Sequence, residues 1–175
     1  KISWYENDGN ENFTEHIITT NADLAHSVYS IDVDDDGDID VLGAAYFDHD
    51  ISWWENDGEQ GFTEHIIDSF FQGAASVYAA DVDSDGDMDV LGAAQQAKQI
   101  TWWENDGEQD FTKHTLIEHF QNANSVYATD MDCDGDMDVL GAAVASHMII
   151  WWENDGDRNF YRHTIASDFG GAHCV

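Results

Sequence analysis

The sequence predicts an all-β chain built from repeated four-stranded antiparallel units. Three observations predict it: a 49-residue internal repeat, short apolar runs punctuated by turn residues, and no helical periodicity anywhere in the 175 residues. The repeat is plainest in Trp4-Tyr5-Glu6-Asn7-Asp8-Gly9, which returns at 53–58, 102–107 and 151–156. His16, His65, His114 and His163 keep the same interval, as do Asp32, Asp81 and Asp130, and no insertion breaks it.

The elements of one unit follow in order from Ser76 to Ile117. Strand A is Ser76–Ala80 and leads into an Asp-rich loop. Strand B is Met88–Ala94 and strand C is Gln99–Glu104. Asn105-Asp106-Gly107 then opens a tight turn into strand D, Phe111–Ile117. Four strands in about 40 to 50 residues is the pattern of a β-propeller blade.

Side-chain size supports that geometry. Blades converge on an axis, so inner strands A and B should be small, as in Gly43-Ala44-Ala45, Gly92-Ala93-Ala94 and Gly141-Ala142-Ala143. Strand C lies further out and carries Trp53-Trp54, Trp102-Trp103 and Trp151-Trp152. Consecutive strand positions point to opposite faces, so each Trp pair can fill the gaps on both sides of its blade. For an exposed member, a sugar-stacking platform is the competing reading.

The expected organisation is one repeat domain over 1–175: a half-blade at 1–18, full blades at 26–67, 75–117 and 124–166, and the start of another at 167–175. A four-bladed ring needs about four whole repeats. The chain therefore reads as a partial β-propeller and a fragment, with the remaining blades coming from the parent chain or another subunit.

Composition narrows the partners. There are 37 acidic residues against 5 basic ones, a formal net charge of −32, which disfavours nucleic acid and anionic membrane surfaces. No apolar run is long enough to insert into a membrane. Sixteen of the acids fall in three short segments at one position of the repeat. Two cysteines, Cys133 and Cys174, make neither a disulfide framework nor a zinc pattern.

Those segments carry the strongest chemical signal. Asp32, Asp34, Asp36, Asp38 and Asp40 recur as Asp81, Asp83, Asp85, Asp87 and Asp89, and as Asp130, Asp132, Asp134, Asp136 and Asp138. Carboxylates at positions 1, 3, 5 and 9 with Gly at 6 suit Ca²⁺, a hard cation that takes six to eight oxygens at flexible geometry. Four carboxylates so close cannot all stay ionised without a cation. Position 7 is expected to offer its backbone carbonyl and leave its side chain to solvent. An EF-hand shares the first half of this loop, but it needs Glu at position 12 and flanking helices, whereas Gly43, Gly92 and Gly141 stand there between strands.

Asp-x-Asp-x-Asp-Gly-x-x-Asp between two short strands, followed by Val-Leu-Gly-Ala-Ala, resembles the FG-GAP/VCBS repeat of integrin α-subunit propellers and many secreted bacterial proteins. The resemblance covers essentially the whole chain. It implies a parent propeller of usually seven blades, with Ca²⁺ at three sites in the loops joining strands A and B, held by the fifteen aspartates named above.

No catalytic constellation accompanies the loops. The repeated histidines recur once per blade, whereas an active site is a single asymmetric arrangement. His26, His49, His119, His147 and His173 break the repeat without a nucleophile or metal spacing beside them. The expected function is a non-catalytic, calcium-binding module, secreted or at the cell surface, that adheres to a glycan or an extracellular protein. Its ligand surface is expected in the segments that vary between repeats: 46–50, 95–98, 144–148, 68–73 and 118–122. The alternative is the propeller portion of a secreted polysaccharide-degrading enzyme, a lyase or hydrolase, which rests on fold analogy alone.

Overall fold

The computed structural model describes residues Lys1–Val175. It contains fourteen strands and no helix, so no helix is long and apolar enough to cross a membrane. Strands β1 (Ile2–Asn7) and β2 (Phe13–Thr19) pair as a two-stranded sheet. Three four-stranded sheets follow. The first is β3 (Ala25–Ile31), β4 (Asp40–Ala45), β5 (Asp50–Asn56) and β6 (Phe62–Asp68). The second is β7 (Ala74–Ala80), β8 (Asp89–Ala94), β9 (Gln99–Asn105) and β10 (Phe111–Ile117). The third is β11 (Ala123–Thr129), β12 (Asp138–Ala143), β13 (Met148–Asn154) and β14 (Phe160–Ala166).

Every sheet is an antiparallel meander in sequence order, the topology of a propeller blade, and the blades do not close into a ring. Antiparallel order also sorts the connections. The Asp-rich loops and the Asn-Asp-Gly turns lie at one end of each sheet, and the 46–49, 69–73 and equivalent segments lie at the other.

The core sits between blades. Trp54 packs back onto Ile2, Ala22 and Ala45, with Ile18 beside them. Trp103 shares a layer with Val33, Leu42, Ile51 and Trp53 of the preceding sheet. Trp102 meets Val126, Val139, Ile150 and Trp152 of the following one. The Trp53–Trp54 and Trp102–Trp103 pairs thus fill both sides of their blades, whereas of the last pair only Trp152 joins a core. Trp53, Trp54, Trp102, Trp103 and Trp152 are buried rather than offered to sugars. The small residues of β8 make this possible. A Cβ on Gly92 would stand 2.7 Å from the Trp103 ring and 2.8 Å from Phe71, closer than carbon atoms tolerate.

The expectation of uniformly small inner strands needs correction. Tyr29, Tyr78 and Tyr127, one per innermost strand, form a ladder with ring centroids 4.6 and 4.7 Å apart. The rings lie alongside one another, so the column fits where large side chains converging on one point would collide. Burial between two such neighbours, together with their hydroxyl contacts, pushes the Tyr78 pKa up.

Polar ties also join the blades. Ser27 and Ser76 accept through Oγ from the backbone N–H groups of Val77 and Val126, at 3.3 and 3.4 Å, and Ser125 does the same for Val175 at 3.2 Å. Asn154 donates through Nδ2 to the Val82 carbonyl of the preceding blade at 2.8 Å and to Met137 of its own at 3.2 Å. Sequence inspection reads this Asn only as the start of a turn.

Candidate metal centres

Each Asp-rich loop reverses the chain between the two inner strands of a blade. Gly37, Gly86 and Gly135 at position 6 adopt φ of 96°, 104° and 107°, a region that strongly favours glycine. Position 4 is left-handed too, at Asp35, Ser84 and Cys133. The position-1 carboxylate closes the loop, with Gly37, Gly86 and Gly135 donating their N–H groups to Asp32, Asp81 and Asp130 at 3.0, 3.1 and 3.2 Å.

The carboxylates then converge. Oxygens of Asp32, Asp34 and Asp36 lie within 4.8 Å of one another, as do those of Asp81, Asp83 and Asp85 and those of Asp130, Asp132 and Asp138, so each cluster could hold a metal ion. Asp38, Asp87 and Asp136 are not in these sets. Their carboxylates lie against Gly58, Gly107 and Gly156 of the neighbouring turn, partly buried instead of free in solvent, because the adjoining strand C–D turn folds over them.

Position 9 has a second task. Asp40 is fully buried and accepts from the N–H groups of Val33 at 2.9 Å and Asn56 at 2.8 Å. Asp89 repeats this with Val82 and Asn105, and Asp138 with Met131 and Asn154. These bonds tie the loop to strand C. Burial outweighs them and pushes Asp40 up to about 6 and Asp89 up to about 7.

The donor sets fit a hard cation. The Oδ1 atom of Asp32 is buried and accepts no hydrogen bond, although burying a charge without compensation is costly. Asp83, wholly enclosed, has an ion pair with Arg158 at 2.8 Å but no aligned hydrogen bond. Burial first, then the neighbouring position-5 carboxylate, raises the pKa of Asp34, Asp83 and Asp132. All-oxygen, carboxylate-rich donors match Ca²⁺ or Mg²⁺ rather than softer metals.

The repeated histidines have partners within their own blades. His16, His65, His114 and His163 stack on Trp4, Trp53, Trp102 and Trp151 at 4.3 to 4.6 Å between centroids. The Nε2 atoms of the four lie 3.1, 2.8, 2.7 and 2.6 Å from Glu6, Glu55, Glu104 and Glu153.

Antiparallel blades with an acidic loop between their two inner strands define an acidic-loop type of propeller repeat. The sequence model of the FG-GAP-like repeat matches residues 32–92 and 89–141, more than half of the chain. The protein belongs to the FG-GAP-like repeat family, a family of non-catalytic repeat modules. No curated protein sequence matches the chain.

Proposed function

We propose that this chain is a calcium-braced propeller module, secreted or at the cell surface, that binds a glycan or extracellular protein and is itself non-catalytic. The observation that carries the reading is the division of labour between its two ends. The acidic loops with their converging carboxylates occupy one end, and FG-GAP repeats often bind Ca²⁺ in such loops. The repeat-breaking connections occupy the other end.

That second end is built for presentation. The segments there hold each other in place: Phe47 N–H donates to Asp23, Gln95 to Gly73 and Phe120 to Lys98. Gly73 N–H donates to His49 Nδ1 at 3.1 Å. Braced in this way, Phe47, Phe70 and Phe169 remain exposed, Phe70 at 81 %. Ordered loops carrying unshielded aromatic rings are a common recognition surface.

The test is binding by the calcium-loaded chain to arrays of soluble glycans and extracellular matrix proteins. The expected result is a ligand whose affinity falls at least about tenfold in Phe70→Ala. No binder on either array, with tryptophan fluorescence and melting unchanged throughout, would refute the ligand-binding part. Turnover of acidic polysaccharides by the purified chain would overturn the non-catalytic part.

A further inference from the structure

The three acidic loops are not electrostatic equals. Arg158 lies in the turn between β13 and β14, where the preceding blades carry Gln60 and Gln109. All three residues adopt the same left-handed backbone, with φ of 65°, 70° and 61°, so only the side chain differs. Arg158 reaches back to the middle blade. Its Nη2 lies 2.8 Å from Asp83 Oδ2, and its Nη1 contacts Glu104 Oε1. The other Glu104 oxygen meets His114 at 2.7 Å.

Asp83 is the position-3 donor of its loop, its side chain is wholly enclosed, and neither oxygen accepts an aligned hydrogen bond. The ion pair does not neutralise the cluster. Burial and Asp85 together still hold the Asp83 carboxyl above its usual range, with Arg158 opposing them.

We infer that Arg158 is a built-in competitor of the cation at the 81–89 loop, which makes that site weaker than the 32–40 loop and couples its occupancy to the contact between the last two blades. A guanidinium keeps its charge at any physiological pH. A divalent ion touching the same carboxylate meets it across one carboxyl group, and like charges at that range repel even when partly screened. Calcium entry therefore shifts Arg158 toward Glu104 and loosens its hold on Asp83. The 32–40 loop escapes this penalty because Gln109, the equivalent residue, is uncharged. The inference rests on the calcium reading of the loops.

The glycines at position 6 allow each site to be read separately, since Gly37, Gly86 and Gly135 each donate to the first aspartate of their own loop. The ¹⁵N-labelled chain, stripped with chelator, is titrated with calcium chloride while these three amides are followed by NMR. In the parent chain Gly86 should need on the order of tenfold more calcium than Gly37. Arg158→Gln, which installs the residue already used by the other blades, should close that gap to within about threefold. Gln109→Arg should weaken the Gly37 response in turn. Equal Gly37 and Gly86 midpoints in the parent, or a gap unmoved by Arg158→Gln, overturns the inference while leaving the calcium sites intact. If none of the three glycines responds to calcium in any variant, the calcium reading itself falls and takes this inference with it.

Discussion

Tyr5 and Trp103 hold the same place in the repeat and meet opposite surroundings. Tyr5, in the two-stranded unit β1–β2, is 58 % exposed, whereas Trp103, in the complete middle blade, is 1 % exposed between its own sheet and the preceding one. Asn7 and Asn154 differ in the same way. Asn7 is exposed and caps only its own turn, accepting from Gly9 at 2.9 Å. Asn154 is buried and joins two blades. Local conformation is common to both copies, but the stabilisation comes from the neighbouring blade, as expected for repeats that bury surface only against each other.

Chelation should act most strongly on this contrast. With calcium about tenfold above the Kd of each site, the three would contribute about 4 kcal/mol together. A chelator should therefore lower the melting temperature clearly and speed amide exchange in 32–40, 81–89 and 130–138. Exchange in the 8–12 turn, fastened by its own Asp8, should hardly change. A melting temperature indifferent to chelator would refute structural calcium.

Next in size is the asparagine pair. Asn154→Ala strands the Val82 and Met137 carbonyls and should cost about 2 to 3 kcal/mol by chemical denaturation. Asn7→Ala should stay within about 0.5 kcal/mol. Equal losses would show that the Asn acts through its turn and not through the blade contact.

A smaller gain is expected at Thr101. Its hydroxyl is buried without a partner, and the equivalent residue of the last blade is Ile150, itself buried in the core. Thr101→Val should stabilise the chain by about 1 kcal/mol, read as a raised denaturation midpoint.

An effect of similar size depends on pH and vanishes in acid. Burial, then Asp48 and Glu64, pushes Asp50 up from 3.8 to about 6, while the middle blade has neutral Gln99 at this position. A folded pKa above the unfolded one means that the folded chain holds its proton more tightly. The cost of ionising Asp50 is thus absent below about pH 4, grows between 4 and 6, and is constant above. Allowing for solvent screening, Asp50→Gln should gain about 1 kcal/mol at pH 8 and nothing at pH 4. A gain of the same size at both pH values would place the effect in packing instead of charge.

Much of this was legible because it is local. Strands A to D of the middle unit fall within about two residues of β7 to β10, since period-two patterning and turn residues act over a few positions. The convergence of the first three carboxylates in each of the first two loops was equally readable, because alternate residues around a tight glycine turn come together. The tyrosine ladder, the serine ties and the Asn154 bridge were not read, although Tyr29, Ser27 and Asn56 all recur at the repeat interval. Repetition marked these residues, but nothing in it names a partner roughly 50 to 70 positions away.

The sequence by itself determined the period, the strand order and the chemistry of the acidic loops, because backbone preference and side-chain alternation are set within each unit. Only the tertiary structure decided which copy of a repeated residue is buried, which blade it holds, and that one loop of three shares its carboxylate with an arginine. Those outcomes depend on the surface that lies alongside, and identical segments of chain receive different neighbours.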